Sequence, residues 1–281
     1  MTLARSTPAP QPPSPRPAGP LAARARSALK HTAGALAAAT LPQCSWDRAV
    51  FIFGHMRCGS TALSNVLCSR PEISGYGEAH VAYTDRSALG RLAVNQRRRG
   101  AFRPGARHLF DKVLHSRYDA VPYPGLLRAH ALFLVRAPLP SILSIRTLFA
   151  RIGSNEYPTD EAAASYYEER LGQLARLWAA FPAHRRLGTT YEELTAGPDP
   201  FLARASALLG LDPPLANHYT APAKTARGAG DPLSSHRFDS IVGGGRSTTL
   251  DPEARRPGLA PDRLDHLQHR YDDLRRLFAA G

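Results

Sequence analysis

From residue 47 onward, short apolar runs alternate with amphipathic stretches. The run "AVFIFG" (49–54) is unbroken, aromatic and β-branched, as expected of a strand buried on both faces. Next, "STALSNVLCSR" puts Ala62, Leu63, Val66 and Leu67 on one helical face, with Ser60 as a possible N-cap and Pro71 as a stop. "RHLFDKVL" (107–114), "HALFLV" (130–135) and "RRLGTTY" (185–191) read as further strands. Helices are predicted after Pro140 (Ile142, Leu143, Ile145, Leu148, Phe149) and over 160–180, 199–211 and 262–278. Strands alternating with helices give an α/β, three-layer sandwich: a central, mainly parallel sheet with helices on both faces. Ligands of such a sheet belong at the carboxyl ends of its strands. Segments 81–106 and 150–160 read as variable loops. Residues 212–261 lack periodicity and are rich in Gly, Pro, Ser and Thr, so they read as a long functional or mobile loop.

The first 46 residues have a different texture. Seven of the first twenty are proline, and Arg5, Arg16, Arg24, Arg26 and Lys30 have no acid to balance them. Such a segment buries too little surface to offset its ordering entropy, so 1–46 is expected to be a largely disordered tail ahead of a domain over 47–281. Within it, 24–41 has the pattern of an amphipathic helix. The expectation for that helix is a plain solvated extension, with a role on an anionic membrane as the alternative.

Composition narrows the function classes. Apolar residues make up 43% of the 281, enough for one sizeable core. The net charge of +13 suits an anionic ligand, although arginine supplies nearly all of it, as GC-rich coding would. Nucleic-acid binding is not expected, because no recognisable motif occurs and aromatics are only 8%. Cys44, Cys58 and Cys68 lack C-x-x-C spacing, which argues against a disulfide framework or a zinc site and makes a reducing cytoplasm the default. No apolar run is long enough for a transmembrane helix.

Chemistry concentrates where the first strand breaks. "GHMRCGST" (54–61) has the glycine spacing of a phosphate-binding loop, but Ser60 stands where the lysine of G-x-x-x-x-G-K-[ST] belongs. The backbone physics survives that change. A glycine turn between strand and helix aims successive N–H groups at one point, and the helix N-terminus adds positive potential. Arg57 offers a replacement cation. Mg-dependent triphosphate enzymes also need an Asp at a later strand end, and here "HALFLV" ends in Arg136. The loop reads as built for an anion without a metal. Arg136 opens a second signal, "RAPLPSILS", in which a strand-tip arginine and Ser144 on the next helix are placed to hold a second anion. A third signal is "TTYEELTAGPDPFLARASALLGL": a strand, an acidic turn and an amphipathic helix.

Together, in this order, the three stretches resemble the sulfotransferases that use 3′-phosphoadenosine 5′-phosphosulfate (PAPS), which have a P-loop-like fold. "GHMRCGSTAL" is similar to that family's 5′-phosphosulfate loop, "VRAPLPSILS" to its 3′-phosphate motif with the same Arg-to-Ser spacing, and "YEELTAGP" to its Tyr-Glu-(Asp/Glu)-Leu segment. The resemblance implies that Arg57, Cys58, Gly59, Ser60 and Thr61 hold the 5′ end through backbone and side chains. It implies that Arg136 and Ser144 hold the 3′-phosphate and that Tyr191 contacts the adenine. "IVGGGRSTT" is similar in character to the family's late closing loop, making Gly245 and Arg246 candidates. The implied reaction moves a sulfuryl group to a hydroxyl or amine of a small-molecule or carbohydrate acceptor, with no metal.

The general base stays open among three residues. Glu78 in "GYGEAH" stands where some bacterial members place a catalytic glutamate. His115 follows the second strand, although the family's Lys-x-His spacing is stretched here by one residue between Lys112 and His115. His80 lies two residues beyond Glu78. Lys112 is notable in a chain with only three lysines, and at a strand end it is placed to reach the transferred group, or else to pair with Asp111. A nucleotide or small-molecule kinase and a non-catalytic nucleotide-binding module are the competing readings.

Overall fold

The computed structural model describes residues 20–220, 238–242 and 258–281. Its centre is strand β1 (Val50–Gly54), every residue of which is buried. Strand β3 (His108–Val113) lies on one side and β4 (His130–Val135) on the other, both parallel to β1, in registers that include Val50 against Phe110 and Gly54 against Leu134. The short β2 (Ile73–Ser74) and β5 (Arg186–Thr190) complete a five-stranded parallel sheet of order β2-β3-β1-β4-β5.

The pleat divides the core. Val50 and Ile52 pack with Leu132, Leu134 and Phe110 on the face covered by helices α2 (Ser60–Cys68) and α7 (Pro198–Leu209). Phe51, Phe53, Ala131 and Phe133 pack on the opposite face. There they meet α3 (Ala88–Arg98), α4 (Pro138–Arg151), α5 (Asp160–Ala180) and the C-terminal helix α8 (Pro261–Ala280). A short α6 (Tyr191–Ala196) joins β5 to α7 and starts with a capping box between Thr190 and Glu193. The expected sandwich of helices on both faces of a parallel sheet is therefore the fold of the chain.

Several boundaries differ from the sequence reading, each for a physical reason. Helix α2 is capped by Gly59, at φ 87°, rather than by Ser60, which is already its first helical residue. A side chain on Gly59 would lie 2.7 Å from the Tyr191 ring, so the left-handed turn and the close approach both require glycine there. Helix α4 begins at Pro138, two residues before the expected Pro140. First-turn amides have no intrahelical acceptor, so both prolines fit without losing a bond. The supposed loop 81–106 contains α3, whose Leu89, Leu92 and Ala93 are buried. The expected helix over 24–41 spans Pro20–Thr40 as α1. Rather than extending into solvent, α1 docks on α3 where Gly34 and Gly90 meet: a Cβ on Gly90 would fall 1.8 Å from the Gly34 carbonyl oxygen.

In the long irregular stretch, Asn217 exchanges two hydrogen bonds with the backbone of Ile241, and Tyr219 N–H donates to Asp239 at 2.6 Å. The candidates Gly245 and Arg246 lie outside the described residues, as does the proline-rich start of the chain. No helix among the described residues is long and apolar enough to cross a membrane.

Candidate active site

The loop 54–61 leaves the end of β1 and enters α2 through two left-handed residues, Arg57 at φ 67° and Gly59 at φ 87°. A non-glycine residue in that region is uncommon and marks a backbone held for a purpose. The turn starts α2 at Ser60, six residues past the end of β1, and a helix N-terminus carries amides and positive potential that favour an anion. Cys58 contributes only backbone. Its thiol is fully buried between β1 and α2, and burial pushes its pKa up, so it is packing rather than a nucleophile.

Arg136 follows β4 directly, beside the loop. The Arg57 Nε donates to Ser144 Oγ at 2.9 Å, and an Arg136 guanidinium nitrogen donates to the Arg57 carbonyl at 3.3 Å. The Arg136 guanidinium lies over the Tyr191 ring, 4.2 Å from its centroid, and Tyr191 in turn packs on Gly59. Arg136 Nε is buried and has no hydrogen-bond partner among the described residues. Arg57, Ser144, Arg136 and Tyr191, from four segments, thus form one cluster. It is fixed from behind, because the Ala137 N–H donates to Glu192, whose other oxygen accepts from Tyr271.

A second group lies toward β3. Lys112 is almost fully buried; its Nζ donates to Thr61 Oγ1 at 3.2 Å and lies 3.7 Å from Glu78 Oε1. Its ion-pair partner is therefore Glu78 and not Asp111. Successive residues of β3 face opposite sides of the sheet, and Asp111 points away to accept from the Tyr83 hydroxyl at 2.5 Å and the Ala79 N–H at 2.8 Å. Burial pushes the Asp111 carboxyl up to about 7 against both donors. These bonds anchor the segment that carries Glu78, and an Arg99 guanidinium nitrogen adds a bond to the Glu78 carbonyl at 2.5 Å.

His80, at φ 54°, meets the Tyr118 hydroxyl at 3.1 Å, while the His115 ring lies 5.3 Å from that of Tyr166. Partial desolvation lowers both imidazoles from their ordinary value. Of the three base candidates, Glu78 is the one in contact with the loop side, through Lys112. Among the described residues no group of His, Cys, Asp and Glu could hold a metal ion.

Sequence reasoning missed the residues that hold these turns in place. Tyr166 on α5 accepts from Met56 N–H at 2.8 Å and donates to the Leu114 carbonyl at 2.7 Å. Arg170, fully buried one turn later, donates to the carbonyls of Gly54 at 2.8 Å and Val113 at 2.9 Å and to Asp119 at 2.7 Å. The ends of β1 and β3 are therefore set by one helix. Two tyrosines and an arginine on a helix otherwise suggest a solvated face, and only the heptad-like apolar positions around them hint at burial.

No protein-family model matches the sequence, and no curated protein does. Solved structures do match. The sulfotransferase domain from the curacin biosynthetic pathway superposes with a TM-score of 0.55 over 79% of this chain and 96% of its own, at 16% identity. The sulfotransferase domain of the Synechococcus PCC 7002 olefin synthase gives 0.49 over 80% and 94%, at 17% identity. Mouse sulfotransferase SULT7A1, in complex with PAP, gives 0.48 over 87% and 95%, at 16% identity. The fold of this chain is the sulfotransferase fold.

Proposed function

We propose that the protein is a PAPS-dependent sulfotransferase acting on a hydroxyl or amine of a small-molecule or carbohydrate acceptor. The observation that carries this reading is the meeting of two arginine-bearing turns at the ends of adjacent strands. One is the loop of Arg57 to Thr61 after β1; the other is the Arg136–Ser144 turn after β4. A nucleotide with anionic groups at both its 5′ and 3′ ends fits two such turns. The orphaned Arg136 Nε and the guanidinium–Tyr191 stack supply a donor and an aromatic surface for it. A sulfotransferase fold around the site supports the same reading.

The donor supplies the transferable sulfuryl group and a 3′,5′-bisphosphate leaving group. In the transfer an acceptor oxygen or nitrogen forms the new bond to sulfur while the bond from sulfur to the bridging oxygen breaks. The loop amides, Arg57 and Lys112 stand where negative charge grows, and preorganised donors of this kind are the largest single contribution in such reactions. Glu78 takes the acceptor proton, and the Lys112 ammonium beside it steadies the carboxylate while also reaching Thr61. His115 and His80 lie together around Tyr118, and in this reading they border the acceptor.

Calorimetry with 3′-phosphoadenosine 5′-phosphate tests the assignment. Arg57→Ala and Arg136→Ala should each weaken binding about 10- to 100-fold, the worth of a charge-assisted hydrogen bond. Undiminished affinity in both variants would refute the site. Sulfuryl transfer from PAPS should proceed without magnesium. Phosphoryl transfer from a nucleoside triphosphate, dependent on magnesium, would establish the kinase reading instead.

A further inference from the structure

His55 follows β1 immediately and is fully buried. Its Nδ1 lies 2.8 Å from the Met56 carbonyl oxygen, and its Nε2 lies 2.9 Å from the backbone nitrogen of Arg136. A carbonyl only accepts and an amide only donates, so Nδ1 carries the proton and Nε2 is the acceptor. One neutral tautomer is thereby fixed, and burial reinforces it by pushing the imidazole down to about 3. The ring stands edge-on to Tyr167 of α5, with centroids 4.8 Å apart. The Tyr167 hydroxyl donates to the Arg136 carbonyl at 2.7 Å. Both backbone polar groups of Arg136 are therefore held, the N–H by His55 and the C=O by Tyr167. His55 belongs to the first anion-binding turn and Arg136 opens the second, so a single imidazole ties one turn to the other.

We propose that His55, backed by Tyr167, is a positioning residue that fixes the distance between the two anion-binding turns and so selects ligands carrying two separated anionic groups over ligands carrying one. The proposal rests on the nucleotide reading above and adds to it a source of discrimination that touches no ligand atom. Two linked subsites reinforce each other only if their spacing matches the ligand, and a misplacement near 1 Å costs up to about a hundredfold. Each turn alone is indifferent to that spacing.

The test is calorimetry at neutral pH with three probes: 3′-phosphoadenosine 5′-phosphate, adenosine 5′-monophosphate and adenosine 3′-monophosphate. His55→Phe keeps the ring against Tyr167 and removes both hydrogen bonds. It should lower bisphosphate affinity at least about tenfold while each monophosphate changes less than about threefold. His55→Gln, whose side-chain oxygen replaces Nε2 as acceptor for the Arg136 N–H, should restore most of the bisphosphate affinity. Tyr167→Phe, which removes only the bond to the Arg136 carbonyl, should give a smaller loss with the same selectivity, and it carries the test if His55→Phe does not fold. An equal loss for all three probes, or no loss for the bisphosphate, would overturn the proposal. A wild type that binds none of the probes would overturn the nucleotide reading itself, a result separate from any difference among variants.

Discussion

Replacing Arg170 tests how far the site depends on what lies beneath it. The guanidinium is fully buried and satisfies three groups at once: the Gly54 carbonyl at the end of β1, the Val113 carbonyl at the end of β3, and the Asp119 carboxylate. Burial pushes the Asp119 carboxyl above its ordinary range even with the guanidinium beside it, and Asp119 Oδ2 has no partner among the described residues. Desolvation therefore outweighs the attraction, as it can for buried ion pairs. Arg170→Met keeps the apolar stem but leaves a buried carboxylate unpaired and two carbonyls without donors. Breaking a buried pair in this way costs about 3–5 kcal/mol. For a chain of this size that is a fall in Tm of roughly 6–15 °C. Urea unfolding of the wild type, Arg170→Met, Asp119→Leu and the double variant measures the coupling. The double variant removes the stranded charge, so it should be more stable than the sum of the single effects predicts, by at least about 2 kcal/mol. Bisphosphate affinity should fall with Arg170→Met, because the Gly54 carbonyl is the last fixed point before the loop. A destabilisation under about 1 kcal/mol, or additive single effects, would show that α5 does not hold the strand ends.

Three further outcomes follow from the site. Glu78→Gln should lower sulfuryl transfer at least about a hundredfold with bisphosphate affinity within threefold of wild type, as for loss of a general base; intact turnover would transfer that role to His115 or His80. Lys112→Ala should lower kcat about 10²- to 10³-fold, equivalent to about 3 kcal/mol, and Lys112→Arg should not restore it, because the pocket beside Thr61 and Glu78 is closed around a compact ammonium. Asp111 gives a pH signature: between its ordinary value of 3.8 and about 7 the folded chain holds a proton that the unfolded chain has released. Its contribution to stability is thus greatest below 3.8 and is lost as the pH rises through about 7, by no more than about 4 kcal/mol, and Asp111→Asn should flatten that slope in urea titrations at several pH values.

What the sequence revealed and what it hid follow from the kind of interaction each residue makes. The strands and long helices were legible because burial of apolar side chains imposes a period, so β4 and α5 fall at 130–135 and 160–180 as read. Arg57, Arg136 and Ser144 were legible through spacing, since a loop between a strand and a helix constrains where an arginine can stand. Helix α3 was hidden because Gly90 and Arg91 interrupt its apolar face; Gly90 serves contact with α1, and Arg91 reaches Asp85. His55, Tyr166, Tyr167, Arg170 and Asp111 were hidden for a different reason. Their partners are mostly backbone groups far along the chain, such as the Arg136 N–H or the Gly54 carbonyl, and a backbone group has no residue identity for a sequence to display. The residues that cluster at the strand ends can thus be found by motif, whereas those that hold the cluster in place can be found only by asking where each buried strand end sends its hydrogen bonds. In this chain the ends of β1, β3 and β4 send them to one stretch of α5: β1 to Arg170, β3 to Tyr166 and Arg170, and β4 to Tyr167. A substitution on that helix should therefore disturb ligand spacing before it disturbs any ligand contact.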